Sequence, residues 1–177
     1  MHRYLLFLLI LCSCYAEELQ EEMSEDPFFD LASYIDNQVD SLQRAGGTVT
    51  KTISLNGTTE TKELDDLNYA NDLRVFRESE INKPAWVDKY TVDRQESDGL
   101  LTRTYTATDS SMQTRKLTVV SRNDTPISVD ILKHTGTVLS NGRHHLTYRP
   151  TSGYRLRTMQ ENRFGDDLDA DIRVVWK

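Results

Sequence analysis

The sequence predicts an α+β fold: a strongly curved antiparallel β-sheet of about seven to nine strands, a meandering half-barrel, packed against an N-terminal amphipathic helix and a second short helix. Three observations carry this expectation. From Trp86 to Trp176, apolar and polar residues alternate in short runs, the period of a strand with one dry face. Between the runs stand Ser97-Asp98-Gly99, Asn123-Asp124, Asn141-Gly142, Thr151-Ser152-Gly153 and Gly165-Asp166, which suit tight reversals. The connections are too short for crossover helices, so neighbouring strands run antiparallel. Upstream, Phe28, Leu31, Ile35, Val39 and Leu42 recur at steps of three and four, the stripe of a helix that covers something apolar.

The chain begins with an export signal. His2 and Arg3 precede an apolar run from Tyr4 to Leu11, too short to cross a bilayer and of the length of a secretory apolar region. Its cleavage has two readings. A cut after Ala16 makes residues 1–16 the signal peptide and releases a soluble chain without cysteine, because Cys12 and Cys14 are the only two. The other reading rests on Leu11-Cys12-Ser13-Cys14, which resembles the bacterial lipobox, although Cys12 stands where a small or aliphatic residue is usual. The resemblance implies that residues 1–13 are removed and that Cys14 is lipidated. Two or more acyl chains then hold the domain on a membrane, each buried methylene contributing about 0.8 kcal/mol.

Residues 14–26 form an acidic tether, with Glu17, Glu18, Glu21, Glu22, Glu25 and Asp26 and little to bury. In some envelope lipoproteins such a patch after the anchor cysteine is a surface-export cue. Residues 27–177 are expected to be a single α+β domain. With both cysteines upstream, its stability must come from packing rather than disulfides. The net charge of −7 becomes −8 once Arg3 is removed, and at pI 5.1 the chain repels phosphate backbones, so no nucleic-acid partner is expected.

Within the domain, Asp26 and Pro27 read as N-cap and first residue of a helix over about 27–45, stopped by Gly46-Gly47. Its polar face carries Asp30, Asp36 and Asp40, which argues for a helix on the sheet rather than on a membrane surface. Val49, Ile53 and Leu55 alternate with Thr50, Thr52 and Ser54 before Asn56-Gly57 turns the chain into Thr58 to Leu64, a strong hairpin signal. Asn56-Gly57-Thr58 and Asn123-Asp124-Thr125 are also glycosylation sequons, incidental in a bacterial chain; in a eukaryotic one Asn56 at a hairpin tip would be a credible site and Pro126 would make the second a weaker one. Asp65-Asp66 can cap a second helix to about Glu80, with Leu67, Ala70, Leu73 and Phe76 inward, and Pro84 prevents its continuation.

Strands are expected at about 86–94, 100–108, 114–121, 126–134, 143–149, 154–162 and 168–176. One side gathers Trp86, Tyr90 and Val92 with Leu101, Tyr105, Ala107, Leu117, Val119, Ile127, Val129, Ile131, Leu146, Tyr148, Tyr154, Leu156, Ile172 and Val174; the other carries threonines and charges such as Arg155 and Asp171. Twist should curl so many strands around the helices. In length, early helix, export signal and run of strands the chain resembles the half-barrel envelope proteins that carry or receive lipoproteins. With its Lys83-Pro84-Ala85-Trp86 run and Ser152-Gly153-Tyr154 turn, it is also similar to small Bacteroidetes-type envelope lipoproteins of unassigned function. The resemblance implies a sheet that shelters acyl chains.

Motifs for catalysis are missing. There is no Gly-x-Ser-x-Gly, Walker loop or His-Glu-x-x-His. His134, His144 and His145 with Asp130 are a conceivable metal site, but adjacent strand residues point to opposite faces, so at most one of the pair His144/His145 joins it. Asp167-x-Asp169-x-Asp171 imitates the start of a calcium loop, yet Ile172 occupies the glycine position, and strand alternation explains the spacing. Arg115-Lys116 and Arg155/Arg157 read as partners for cross-strand carboxylates more readily than as a headgroup patch.

The expectation is therefore a non-enzymatic cell-envelope lipoprotein, outer-membrane-attached or periplasmic, without cofactor or metal. Its curved sheet binds a hydrophobic ligand or a protein partner. The alternatives are a secreted or periplasmic module without a ligand cavity and an unrecognised hydrolase. Trp86, Tyr90, Tyr105, Tyr148, Tyr154, Leu31 and Ile35 are the candidate cavity-lining residues. A cavity of roughly 300 Å³ or more beneath the first helix would favour the ligand, and a sealed core the module.

Overall fold

A computed structural model describes residues 28–177. The export signal, Cys14 and the acidic tether lie outside the described residues. The fold is α+β, with a nine-stranded antiparallel sheet that curves but does not close.

Chain order explains the topology. Helix α1 (Leu31–Ala45) leads into the hairpin β1 (Val49–Leu55) and β2 (Thr58–Leu64), followed by two four-residue helices, α2 (Tyr69–Asp72) and α3 (Arg74–Arg77), and a 3₁₀ helix (Pro84–Lys89). The meander then runs through β3 (Tyr90–Ser97), β4 (Leu100–Ala107), β5 (Thr114–Arg122), β6 (Thr125–Gly136), β7 (Ser140–Arg149), β8 (Gly153–Asn162) and β9 (Leu168–Trp176). The last strand returns to pair with β1, so the order across the sheet is β2-β1-β9-β8-β7-β6-β5-β4-β3. β2 and β3 are the two edges.

Helix α1 starts four residues later than expected. Asp30, not Asp26, is its cap, accepting from Ser33 N at 2.8 Å. Glu80 Oε2 accepts from Ala32 N at 2.7 Å, so a carboxylate 48 residues away satisfies another orphan donor of the first turn. Leu31, Ile35 and Val39 are buried as the stripe requires, Leu42 is half-buried, and Phe28 packs just ahead of the helix.

The expected second helix over 65–80 is corrected to two short pieces. Asn68 caps the first, and Leu73, at φ −90° and ψ −1°, separates them. The break rotates the register: Tyr69, Leu73 and Phe76 are buried, while Ala70 is exposed. Trp86 does not open a strand. It lies half-buried in the 3₁₀ helix that Pro84 begins, with the Lys83 ammonium 4.1 Å from its ring centre, and the strand starts at Tyr90. Asn141-Gly142 is not a turn either; both residues lie within β7, and residues 137–139 make the reversal.

The inner face follows the alternation. Across one row stand Tyr105, Leu117, Ile131, Leu146, Leu156, Ile172 and Ile53, and across the next Val119, Val129, Tyr148, Tyr154, Val174 and Lys51. Leu117, Val119, Val129, Ile131, Leu146 and Tyr148 are fully buried beneath the helices. Val92 and Ile127, assigned to the same face, are exposed: Val92 lies on the edge strand β3, and Ile127 is passed over at a register shift between β5 and β6.

Candidate functional site

The helices occupy only part of the concave face. Phe28 meets Tyr90 and Tyr105 edge-on with ring centres 5.7 Å apart in both pairs. Phe76 does the same to Tyr148 and Tyr154, and Tyr34 to Tyr148. Four of the phenol oxygens in this packing find a partner on a neighbouring element, whereas the Tyr34 hydroxyl is buried without one among the described residues. Tyr90 donates to Thr114 O at 2.9 Å, Tyr148 to Gln38 Oε1 at 3.0 Å, and Tyr154 to Asp72, while the Tyr105 oxygen accepts from Phe29 N at 3.2 Å. Burial holds these phenols protonated: Tyr90 is pushed up to about 12 and Tyr34 likewise to about 12.

The structure thus brings Tyr90, Tyr105, Tyr148, Tyr154, Leu31 and Ile35 into one buried cluster, with Trp86 packed at its margin. Clefts of about 350 to 860 Å³ lie along the rims and turns of the described residues; one of them is lined by Tyr154, and these clefts are not lined by Leu31, Ile35, Trp86, Tyr90, Tyr105 or Tyr148.

Toward β8, β9 and β1 the same inner rows run out from under the helices. Leu146 is fully buried, its neighbours Leu156 and Ile172 are half-buried, and Ile53 at the end of the row is 39% exposed. In the next row Leu55 is 50% exposed, beside half-buried Ala170, Thr158 and His144. An aliphatic row of Leu156, Ile172 and Ile53, and a mixed row in which Leu55 and Ala170 give way to Thr158 and His144, therefore form an open, shallow trough on the concave side. A cleft of about 370 Å³ lies at its rim, lined by Gln160, Leu168 and Asn56 among others.

One charged group closes the boundary between the covered and open parts. Asp72 Oδ2 takes the Lys51 ammonium at 2.5 Å and the Tyr154 hydroxyl, so a lysine pointing into an apolar face is neutralised where it stands. Farther along, the His144 ring is held between two threonines, Nε2 against Thr135 Oγ1 and Nδ1 against Thr158 Oγ1, both at 3.0 Å. Burial, with Lys133 and His134 nearby, pushes its pKa down. Gly142 lies beneath this ring. A Cβ there would stand 2.6 Å from Thr135 Oγ1 and 2.9 Å from His144 Nε2.

His145, on the opposite face, reaches Asp130 Oδ1 at 3.4 Å, as strand geometry requires of a residue adjacent to His144. Among the described residues no three His, Cys, Asp or Glu side chains converge on a point suited to a metal ion. Asp167 accepts from Asn162 N at 2.8 Å and Asp171 pairs with Arg155 in a two-pronged contact, so two of the three acids of the repeat make turn and cross-strand bonds. Arg115 donates to the carbonyls of Asp109 and Met112. Among the described residues no helix is long and apolar enough to cross a membrane. Comparison of the chain with protein-family models, with curated proteins and with solved structures yields no match.

Proposed function

We propose that the chain is a non-enzymatic, exported binding protein, held at the cell envelope through Cys14, whose working surface is the open trough of the concave face. Its ligand is an extended aliphatic group such as an acyl chain. The observation that carries the reading is the exposure of Ile53 and Leu55 on the inner side of β1, in register with Ile172 and Ala170. An inner face of a sheet is normally covered, and leaving large aliphatics uncovered there forgoes about 25 cal/mol for each Å² that could be buried. The trough is aliphatic toward β1 and β9, where Ile53, Leu55, Ala170 and Ile172 lie, and Asp72 neutralises Lys51 at its edge. That chemistry suits a chain rather than a headgroup.

A second reading, a module that docks a protein partner, is favoured by the buried aromatic cluster beneath α1 and by the edge strand β2, whose residues are nearly all exposed. The hydrolase reading has little to work with. Among the described residues His144 is the one partly buried histidine, and both its ring nitrogens contact threonine hydroxyls rather than a carboxylate.

The test is titration with a fluorescent fatty acid. The purified exported protein should enhance the probe's emission, and Leu55→Lys should weaken binding about tenfold or more while leaving the fold intact. Loss of the signal to an unrelated fatty acid by competition supports the acyl reading. Absence of binding, or binding that Leu55→Lys leaves unchanged, overturns it. Intact mass of the membrane-extracted protein beside Cys14→Ser tests the anchor separately.

A further inference from the structure

We infer that the paired tips of the β6–β7 and β8–β9 turns are a membrane-insertion surface that seats this end of the sheet in the interfacial region of a lipid bilayer. Val138 and Leu139 on the first turn are 84% and 58% exposed, and Phe164 on the second is 76% exposed. Single exposed apolar residues are ordinary on a protein surface. These three are not scattered: Arg163 N donates to Leu139 O at 2.8 Å, so the two turns are joined through their backbones. Within the first turn, Thr137 Oγ1 accepts from Leu139 N at 3.1 Å and Ser140 N at 3.0 Å, which holds Val138 and Leu139 outward. The Arg163 guanidinium lies 5.8 Å from the Phe164 ring centre.

The occupant follows from size and composition. A stable protein interface buries about 800 Å² on each partner. Two narrow turns carrying three apolar side chains offer far less. A bilayer sets no such threshold, because partition accumulates residue by residue with the apolar area removed from water. An aromatic and two aliphatics next to an arginine also match the interface, where an apolar body enters the acyl boundary and a guanidinium stays with the phosphates.

Anchor geometry agrees. The described chain begins at Phe28, against Tyr90, the first residue of β3, and β3 starts at the same end of the sheet as these turns. The stretch from Cys14 to Phe28 spans at most on the order of 45–50 Å. Four or five strand spacings amount to roughly 20–24 Å. A lipid on Cys14 and the two tips can therefore meet one bilayer. Val138, Leu139, Arg163 and Phe164 line neither the trough nor the cleft at its rim, and the inference does not depend on the trough binding anything.

The experiment uses the exported protein with phosphatidylcholine vesicles whose acyl chains carry bromine, a contact quencher of tryptophan. Phe164→Trp is compared with the unsubstituted protein, which supplies the background from Trp86 and Trp176, and with Leu132→Trp, a half-exposed position in mid-strand. The expected result is blue-shifted, quenched emission for Phe164→Trp and none for Leu132→Trp. Adding Val138→Lys and Leu139→Lys should abolish the quenching where a lipid anchor retains the protein on vesicles, and weaken vesicle association about tenfold or more for each lysine where it does not. The lysine variants should leave fatty-acid titration of the trough unchanged, which separates this inference from the ligand reading. Unaltered emission of Phe164→Trp on mixing with vesicles overturns the inference, as does quenching that survives both lysines.

Discussion

Tyr154 donates its hydroxyl hydrogen to the Asp72 carboxylate, 82 residues earlier in the chain, and the same oxygen takes the Lys51 ammonium at 2.5 Å. Three elements meet at that point: the end of α2, the start of β8 and the middle of β1. A helix of four residues has no stability of its own. This polar junction, with Tyr69 and Phe76 packed beside it, is what locates α2 and α3 on the sheet and sets where the covered half ends.

Asp72→Ala removes one acceptor and strands two donors. Lys51 and Asp72 are 18% and 11% exposed at their side chains, so water only partly compensates. The expected loss is about 2–3 kcal/mol of unfolding free energy. Tyr154→Phe, which leaves the ion pair intact, should cost about 1 kcal/mol. Denaturant unfolding of the two single variants and the double variant checks this; strictly additive losses would mean that the two side chains are not coupled.

Alkaline pH should unfold the protein from its core. Tyr34, Tyr90, Tyr105, Tyr148 and Tyr154 all have pKa values raised, each chiefly by burial, with the Asp72 carboxylate adding to the effect on Tyr154. A raised folded-state value means that the folded chain holds the proton longer than the unfolded chain, whose tyrosines ionise near pH 10. The stabilisation is complete below about pH 10 and is lost as pH climbs through the folded values, about 12 for Tyr34 and Tyr90. Denaturant midpoints should hold steady up to the unfolded value and fall beyond it. Tyrosinate absorbance from these five residues should rise together with the loss of far-ultraviolet ellipticity, and a rise that clearly precedes it would refute the burial argument.

Much of this architecture was legible from period alone. Alternation identified the inner residues of β5 to β9, because a strand with one dry face leaves little freedom about which parity is apolar. What was misread has particular causes. Trp86 and Tyr90 are four apart, a spacing that serves a strand face and a helical turn equally well, and Pro84 at the first position decided for the 3₁₀ helix. The 67/70/73/76 stripe fits a helix, but no local signal announces the break at Leu73 that exposes Ala70. The trough was only half visible: Ile53 and Leu55 were on the apolar side of β1 by alternation, yet whether helices cover them depends on the Asp72 junction, a contact between residues 21 and 82 positions apart.

Gly142 illustrates a residue whose type was informative for a reason other than the obvious one. Asn-Gly marks turns through positive φ, but Gly142 is in a strand and is needed for space beneath His144. Gly142→Ala should destabilise by about 1–3 kcal/mol, since the methyl must displace Thr135 Oγ1 or the imidazole. Adding Thr135→Ala removes the nearer obstacle and should restore part of the loss. Thermal unfolding of the pair checks it, and equal destabilisation with and without the Thr135 change would place the strain elsewhere.

Asn56 is the reverse case, a turn residue with a second role. It sits at positive φ, 46°, as the hairpin needs, while its side chain reaches across to β9: Oδ1 accepts from Asp169 N at 2.8 Å and Nδ2 donates to Asp167 O at 3.3 Å. The β1–β2 hairpin is thereby clamped at its tip to the strand beside it, and the amide that a sequon would offer for glycosylation is already engaged. Asn56→Gly keeps the backbone conformation and the bond from the residue 56 N–H to Asp169 O, and deletes the side-chain part of the clamp; Asn56→Asp keeps the acceptor and loses the donor. The losses should rank Asp below Gly, about 0.5 and 1–2 kcal/mol. Because β2 is an edge strand with β1 as its only partner, the readout is hydrogen exchange of the β2 amides, which should quicken in Asn56→Gly before any change in β6 or β7. Uniform acceleration across the sheet would show that the contact stabilises the whole fold rather than the hairpin.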